Sequence, residues 1–502
     1  MKLKFRISVS VLLLILPLGL LLSQNTPKDY SQRDKAYFGI SAHEIYNWVD
    51  YLSSDEFKGR LCGSAEYTKC AHWAAIRFAA WGLAPGGDNG YYFQNFPIQY
   101  TCVEGNPSLK IISEDLKNTY TVGKDYYPGT HTDSGFLKGD VVYVGYGISA
   151  PDMKYDDYAG IDVKGKIVVF EPGVPCAKDN PNYELWSERY SATLPKFENA
   201  IMHGAAGIMM LGNSPHPGVK FNKGIVYCHI SDRVLNDLLL ASGNTASKLR
   251  KSIAEQCKAN SFVIKGAQIE MEFNSIHADL SQTQNVIAYI PGSDPKLKDS
   301  PIIIGAHLDH LGAPGVVFPG ALDNASGSAI VMATAKAFAT SGIKPLRPIV
   351  FILFGAEEPG MLGSKFYVKN PLFPLSKTLC MFNLDMVGNG SSLRVSGAAS
   401  FPSLEKILQA SNDKYLKRIL STSEYEKASG RMYTDGEIFS FNDVPAFSFG
   451  VRHRLSRTYY HVPEDTIITL TPDIMADVSK LLFLTLEQIS MNANFKLKYN
   501  EK

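Results

Sequence analysis

Continuous apolar runs alternate with amphipathic segments through the second half of the chain. The apolar runs predict buried strands at 285–290, 302–306, 349–354, 379–384 and 446–449. Apolar residues at helical spacing predict helices at 326–339, 361–369, 402–412 and 472–491. Uniformly apolar strands that alternate with helices are typical of a mostly parallel sheet with helices on both faces. We therefore predict an α/β fold, a three-layer sandwich, over residues 281–495.

Two regions with other patterns precede this one. Residues 38–99 are predicted to be helical: Ser41 is a candidate N-cap, and a second helix runs from Ala65 to Trp81, where Gly82 ends it. Residues 100–280 contain short apolar runs at 141–146, 166–170, 207–211 and 225–230, with one predicted helix at 196–203. We predict a compact, β-rich insert of mixed β and α structure there.

The N-terminus has the pattern of a secretory signal. Lys2, Lys4 and Arg6 precede an almost wholly apolar segment at 7–22, and polar residues follow it. We predict that residues 1–23 are a signal peptide, that the protein is exported to the periplasm or the extracellular space, and that no stable membrane span is left after cleavage. The alternative is an uncleaved anchor, although the run is slightly short for a span and Pro17 interrupts it.

Composition narrows the classes of function. The chain has 502 residues, enough for more than one domain, and a net charge of +1. Because nucleic-acid-binding proteins usually have a basic face, we expect no nucleic-acid partner. The seven cysteines include no C-x-x-C motif, which argues against a thiolate zinc site. Cys62 and Cys70 are the nearest pair along the chain for a disulfide bond in an oxidising compartment.

Imidazole and carboxylate side chains come just after the predicted strands. His307, the pair Glu357 and Glu358, and Asp385 each follow one of the apolar runs. Because ligands gather at the carboxyl ends of parallel strands, we expect these side chains at one edge of the sheet. Taken alone, each of them is equally an ordinary loop or surface residue.

Asp323 and His461 complete a set of metal-ligand residue types. Asp323 precedes a predicted helix, where Asp is also a common N-cap. His461 precedes Glu464 and Asp465, which are either orienting groups or surface acids. The two imidazoles and three carboxylates are suited to a pair of divalent ions that share a water and a bridging Asp323. Two such ions are a standard means of hydrolysing an amide or ester bond at neutral pH.

Two more carboxylates have predicted roles beside the ions. Neighbouring residues of an extended segment point in opposite directions, so we assign Glu358 to a metal and Glu357 to general base and then general acid. Asp309, two residues after His307, is expected to accept a hydrogen bond from that imidazole and fix its tautomer.

Together these strings resemble peptidase family M28, its aminopeptidase branch above all. The matching motifs are AHLD, GALDNASG, GAEEPG, NLDM and YYHVPEDT, which occur in the order of that family between about residues 285 and 491. Residues 52–60 and Gly63-Ser64 are similar to the N-terminal helical part of the family. Gly145-Tyr146-Gly147 and residues 196–211 resemble a protease-associated (PA) domain inserted in the peptidase.

The resemblance implies a zinc-peptidase-like sandwich that binds two Zn²⁺ per chain. His307 and Asp385 would bind one ion, Glu358 and His461 the other, and Asp323 both. It also implies a cis peptide bond after Asp323, peptide substrates and the removal of N-terminal residues from them.

Three further residues are expected near the substrate. Tyr460 is a candidate for stabilising the oxyanion, and Met386 and Asp435 are candidates for contacting substrate. Many relatives have Ser-Asp-His where this chain has Thr434-Asp435-Gly436, so the sequence leaves the role of Asp435 open.

Other functions stay open at this point. A carboxypeptidase or a glutaminyl cyclase could use the same scaffold, with Arg452, Arg454 and Arg457 holding a substrate carboxylate if they are not simply surface charge. A non-catalytic receptor or binding protein is the third possibility, and such a protein is expected to lack ligands. The sequence predicts neither the oligomeric state nor the side-chain preference.

Overall fold

The computed structural model describes residues 31–113, 117–212, 215, 220–430, 432–452 and 456–499. The predicted signal peptide at 1–23 lies outside these residues. Among the helices that the structure describes, none is both long enough and apolar enough to span a bilayer.

The helices agree closely with the apolar spacing in the sequence. They are α1 Gln32–Phe38, α2 Ala42–Leu52, α3 Ala65–Ala80, α4 Tyr183–Tyr190, α5 Thr193–Met202, α6 Asp232–Leu239, α7 Ala246–Gln256, α8 Gly327–Thr340, α9 Leu362–Lys369, α10 Pro402–Ser411, α11 Asp435–Phe441 and α12 Pro472–Ser490. Ser41 caps α2 as predicted, because its side-chain oxygen accepts a hydrogen bond from the backbone amide of Glu44. The predictions for α8, α9, α10 and α12 are confirmed within one residue at each end.

The strands include one, β11, that is far longer than predicted and another long one, β2, that was not predicted. They are β1 Ala84–Pro85, β2 Phe93–Ser113, β3 Lys117–Thr119, β4 Tyr126–Pro128, β5 Gly135–Tyr143, β6 Ser149–Ala150, β7 Tyr155–Asp156, β8 Ile167–Phe170, β9 Gly207–Leu211, β10 Val226–Ile230, β11 Phe262–Ile290, β12 Ile302–His307, β13 Ile349–Phe354, β14 Cys380–Leu384, β15 Ser392–Ser396, β16 Leu420–Thr422 and β17 Ala446–Arg452. The predicted bounds of β9 and β13 are confirmed, β11 was predicted only over residues 285–290, and β2 begins within residues 38–99, which were wrongly predicted to be helical throughout.

A mostly parallel sheet forms the centre of the C-terminal part. Strand β12 pairs in parallel with β13 and with β14, and β14 pairs in parallel with β17. Helices α2, α3, α8 and α12 pack on one face, where Ile302 and Ile304 point, while Ile303 points to the other face beside α9 and α11. The α/β class and the helix-flanked, mostly parallel sheet are therefore confirmed.

The middle of the chain continues the same sheet. Strands β2 and β11 pair with each other along most of their length, and β11 also pairs with β13 and with β5. Strands β5, β8, β9 and β10 then pair in parallel, and α4 to α7 lie in the same region. The region is mixed β and α as predicted, but β2 and β11 run across residues 100 and 280, which the sequence predicted as boundaries.

The cysteines of the chain are all free thiols. Cys70 lies in the core between the helices and the sheet, while Cys62 packs in a separate cluster with Phe96, Ile98 and Ala356. The nearest pair along the chain, Cys62 and Cys70, is therefore not bonded, because the two side chains point into different parts of the interior.

Candidate metal centre

Parallel pairing brings the predicted side chains to one edge of the sheet. Strand β12 ends at His307, β13 ends three residues before Glu357, and β14 ends directly before Asp385. The carboxyl ends of adjacent parallel strands meet at the same edge, so the topology itself makes these groups converge.

The first cluster of ligand atoms contains His307, Asp323 and Asp385. One ligand atom from each residue lies within 4.8 Å of the other two. Nε2 of His307 is 3.2 Å from Oδ1 of Asp323 and 3.5 Å from Oδ1 of Asp385. Imidazole nitrogens and carboxylate oxygens are suitable ligands for a divalent cation.

The second cluster shares Asp323 with the first. Ligand atoms of His310, Asp323 and Glu358 lie within 4.8 Å of one another. Nε2 of His461 is 3.3 Å from Oδ2 of Asp323 and 3.0 Å from Oε2 of Glu358. Asp323 thus presents Oδ1 to one cluster and Oδ2 to the other.

His310 is a part of this site that sequence reasoning missed. Its buried ring places Nδ1 2.7 Å from Oε1 of Glu358. His461 already contacts both Asp323 and Glu358, so His310 is placed to orient Glu358 from the side. The sequence feature that could have identified His310 is a second imidazole three residues after His307, in the string AHLDH.

Asp309 makes contacts different from those expected. Nδ1 of His307 lies 3.1 Å from the backbone carbonyl oxygen of Asp309, whereas the carboxylate is 3.9 Å away. That carboxylate instead accepts hydrogen bonds from the backbone amides of Glu357 at 3.0 Å and Glu358 at 3.3 Å. One residue therefore fixes the imidazole through its carbonyl group and both glutamates through its side chain.

The loop that carries Asp323 is tied to the sheet. The peptide bond between Asp323 and Asn324 is cis, as the resemblance implies. The Asn324 side chain donates a hydrogen bond of 2.9 Å to the carbonyl oxygen of Leu384 and accepts one of 3.0 Å from the amide of Gly327. This loop is therefore connected to the end of β14, next to Asp385.

Arg60 supports the same region from the N-terminal part of the chain. Its fully buried guanidinium group donates hydrogen bonds of 2.7–2.8 Å to backbone carbonyl oxygens of the residues Leu52, Leu308, Pro319 and Gly320. Three of these acceptors, Leu308, Pro319 and Gly320, lie near His307 or Asp323 along the chain, so one side chain connects two site loops to the end of α2.

Glu357 is a partly buried acid beside the first cluster. Burial raises the pKa of Glu357 well above its ordinary value; the neighbouring carboxylates of Asp435, Glu358 and Asp385 add to this effect, and His307 opposes it. A carboxyl group of this kind takes up a proton readily, as a general base requires.

The carboxylates of the two ligand clusters create an environment that stabilises positive charge. Burial opposes ionisation of Asp323, yet hydrogen bonds from His307 and His461 lower its pKa well below the ordinary range. His461 has its pKa raised to about 10, against the effect of burial, by Glu358 and Asp323. Oδ1 of Asp385 is buried and has no hydrogen-bond partner among the described residues. A buried excess of carboxylate oxygens, with this atom lacking a hydrogen-bond partner, fits divalent cations.

Tyr460 and Met386 lie at the rim of the site. The Tyr460 ring stacks on His461, with ring centroids 3.7 Å apart and planes inclined by 19°, and 47% of Tyr460 is exposed. Met386 has a left-handed backbone conformation, and its amide lies 3.4 Å from Oδ1 of Asn324. Both residues directly adjoin proposed ligands.

Asp435 approaches the site from the first turn of α11. Burial raises the pKa of its carboxyl group to about 6, an effect that nearby His307 and Ser364 oppose and Asp385 reinforces. A Cβ atom at Gly436, the residue after Asp435, would lie 2.9 Å from Cβ of Asn383, so a side chain there would require a shift of its neighbours.

Comparison with known proteins agrees with the motifs. The model described as peptidase family M28 matches residues 285–486. Leupeptin-inactivating enzyme 1 of Streptomyces exfoliatus is 41% identical over 106 residues, which cover 21% of this chain and 23% of that protein. A probable leucine aminopeptidase of Arthroderma benhamiae is 29% identical over 237 residues, which cover 46% of this chain and 63% of that protein. The chain thus spans less than two thirds of each of these curated relatives.

A solved structure shares the fold over nearly the whole chain. BSAP, a zinc aminopeptidase from Bacillus subtilis, has a TM-score of 0.59 and 19% sequence identity, with 92% of this chain and 98% of that chain covered. At this identity the likeness concerns the fold alone. Residues 285–486, which carry all the motifs of the converging strands, are thus similar to peptidase family M28.

Proposed function

We propose that this protein is a zinc-dependent aminopeptidase that hydrolyses the first peptide bond of its substrates. The observation that carries the proposal is the position of Asp323, whose two carboxylate oxygens face two adjacent ligand clusters. Two cations that share a carboxylate lie close enough together to act on one carbonyl group. Glu357 is a partly buried acid next to the first cluster.

The residues of the two clusters fit two zinc ions. His307 and Asp385 would hold the first ion, Glu358 and His461 the second, and Asp323 both. Mixed imidazole and carboxylate sets are typical of catalytic zinc sites. Zinc bound there would polarise the scissile carbonyl group and make the attacking water more acidic.

Glu357 moves the proton in this proposal. Its carboxylate accepts a proton from the attacking water, and the resulting carboxylic acid donates that proton to the leaving nitrogen. The hydrogen bond of 3.0 Å from the Glu357 amide to Asp309 fixes the backbone of this residue. The base is therefore positioned before the substrate arrives, which lowers the entropic cost of the reaction.

Residues at the rim act on the substrate itself. The hydroxyl group of Tyr460 donates a hydrogen bond to the oxyanion of the tetrahedral intermediate, and stacking on His461 holds its ring in place. Met386 lines the substrate side of the first cluster. Asp435 adds negative charge behind Asp385.

The charge of the site favours a free α-ammonium group over a substrate carboxylate. Carboxylates dominate the described part of the centre, and Asp385 keeps 26% of its side chain exposed. The related protein from Arthroderma benhamiae carries the name of a leucine aminopeptidase, which supports the same choice. The side chains of Arg452, Arg454 and Arg457, weighed for a carboxypeptidase, lie outside the described residues.

The proposed division of the chain follows the strands. Residues 38–99 and 281–495 form the peptidase domain, and residues 100–280 form a PA-like insert that β2 and β11 connect to it. The charged and apolar pattern of residues 1–23 supports export by a cleaved signal peptide.

Peptides with blocked ends test the proposed function. We expect zinc-loaded protein to cleave free and C-terminally amidated peptides and to leave N-acetylated peptides intact. Cleavage that needs a free carboxyl end would indicate a carboxypeptidase, and ammonia release from N-terminal Gln would indicate a glutaminyl cyclase. Binding without turnover would indicate a receptor. Elemental analysis should find two zinc ions per chain.

A further inference from the structure

A small cavity lies between the insert and the metal centre. Its volume is about 30 Å³. Thr130 and His131 of the insert line one side, Thr101 of β2 lies beside them, and His310 and Glu358 of the centre line the other side. The insert therefore supplies part of a wall that faces a proposed zinc ligand.

The part of the wall formed by the insert is held rigidly. The amide of Gly129 donates a hydrogen bond of 3.0 Å to the carbonyl oxygen of Tyr227, and the amide of His131 donates one of 3.0 Å to the Tyr227 hydroxyl. Tyr227 is fully buried, and a Cβ atom at Gly129 would lie 1.8 Å from its ring. These contacts fix the backbone of His131 beside the cavity.

The insert contributes polar, uncharged side chains to the wall, whereas Leu61, Cys62, Leu311 and Pro359 make much of the remaining lining apolar. Nδ1 of His131 lies 3.0 Å from Oγ1 of Thr130. Burial lowers the pKa of His131 to about 4, so its ring is neutral at neutral pH. A cavity of about 30 Å³ holds about two water molecules, or a side chain of one or two heavy atoms.

We infer that this cavity is a side-chain subsite whose size is set by His131. The inference rests on the proposed peptidase function. A peptide with its scissile carbonyl group at the two clusters places a flanking side chain next to Glu358, which lines the cavity. The subsite accepts small side chains such as those of Ala and Ser, and His131 excludes those of Leu and Phe.

Two peptide series test the inference on the parent protein. In one series the first residue varies and in the other the second, with Ala, Ser, Leu and Phe at the varied position. We expect kcat/KM at one of these positions to favour Ala and Ser over Leu and Phe by about tenfold or more. Equal rates for small and large side chains at both positions would overturn the inference.

Substitutions that shorten the His131 side chain provide a second test. In His131→Ala the ratio of kcat/KM for Leu and Phe to that for Ala and Ser, at the selective substrate position, should rise by about tenfold. In His131→Asn it should rise by less. His203→Ala is the matched control, since His203 is an exposed insert residue stacked on Tyr158. It should keep the parent preference.

Further measurements separate the possible failures. Zinc content and circular dichroism show whether His131→Ala folds. If it does not, the substrate preferences of the parent and of His131→Asn decide whether the inference holds. An unchanged preference in a folded, zinc-loaded His131→Ala protein would contradict the inference while leaving the peptidase function intact. Absence of hydrolysis of every free peptide by the zinc-loaded parent would overturn the proposed function and this subsite together.

Discussion

Asp465 holds Asp323 through its backbone. Oδ2 of Asp465 accepts a hydrogen bond of 2.9 Å from the amide of Asp323, and Oδ1 accepts one of 2.8 Å from the amide of Leu322. Asp465 is fully buried and comes four residues after His461. One carboxylate therefore connects the loop of a proposed zinc ligand to the loop of the proposed bridging ligand.

This connection predicts that Asp465→Asn weakens zinc binding. An Asn side chain has one acceptor oxygen, so its amino group would face a backbone N–H group that now donates to Asp465. Supporting groups around metal ligands typically change metal affinity by about 10- to 100-fold. Competition with a chromophoric zinc chelator measures the affinity. Glu464→Gln, an exposed neighbour, is the control, and equal affinities in the two variants would contradict the role of Asp465.

The adjacent acids Glu357 and Glu358 should give opposite results on conversion to Gln. Glu357→Gln removes the proton acceptor, so we expect kcat to fall by about 10²- to 10⁴-fold while the zinc content stays at the parent level. Glu358→Gln removes a proposed ligand and should lower the zinc content. The two substitutions are matched in size and position, so elemental analysis with steady-state kinetics separates the roles. Parent-like kcat in Glu357→Gln would show that another group is the base.

Arg60→Lys should destabilise the protein substantially. A lysine has one nitrogen and cannot replace the guanidinium group that donates to four backbone carbonyl oxygens. Buried acceptors left without donors cost about 1–3 kcal/mol each, and we expect a total loss of roughly 3–5 kcal/mol in the free energy of unfolding. Urea denaturation measures it. Arg189→Lys is the control, because Arg189 forms an exposed ion pair with Asp152 and should change stability by less than about 1 kcal/mol.

The sequence predicted the catalytic part of the fold well because its strands are buried on both faces. Ile349–Phe354 is a continuous apolar run with turn residues on both sides, and its bounds are those predicted. Of the two long strands, β11 was predicted only over residues 285–290, and β2 was not predicted. Strand β2 contains Pro97, Gly105 and Pro107, and its pairing with β11 has register shifts, so local pattern alone did not indicate a continuous strand.

The site was predicted as far as residue types and strand ends could show it. The five proposed ligands and Glu357 lie together because parallel strands end at one edge. Asp309 was expected to bond His307 through its carboxylate, but that group is occupied by the amides of Glu357 and Glu358. The roles of Arg60 and Asp465 depend on contacts with backbone groups far away along the chain, which sequence pattern does not encode.

Lys196 predicts a pH dependence of stability in the insert. It is buried, and its ammonium group donates hydrogen bonds to the carbonyl oxygens of Glu171 and Gly173. Burial lowers the pKa of Lys196 from 10.5 to about 7, although the carboxylates of Asp157 and Glu171 oppose this effect. The folded chain thus holds this proton less tightly than the unfolded chain. Between pH 7 and 10.5 the unfolded state binds more protons, so this group makes stability rise with pH.

Lys196→Met should remove this rise. Between pH 7 and 9 the parent should gain about 2–3 kcal/mol relative to the variant, since each pKa unit corresponds to about 1.4 kcal/mol. The hydrogen bonds lost in the variant change its free energy of unfolding by an amount that does not depend on pH, so they do not affect this comparison. Urea unfolding of the insert at pH 7, 8 and 9 gives the free energy of unfolding of both proteins. Lys251→Met, at an exposed site, is the control, and its free energy of unfolding should change with pH as that of the parent does. If the free energy of unfolding of Lys196→Met changed with pH as that of the parent does, Lys196 would keep an ordinary pKa in the folded protein.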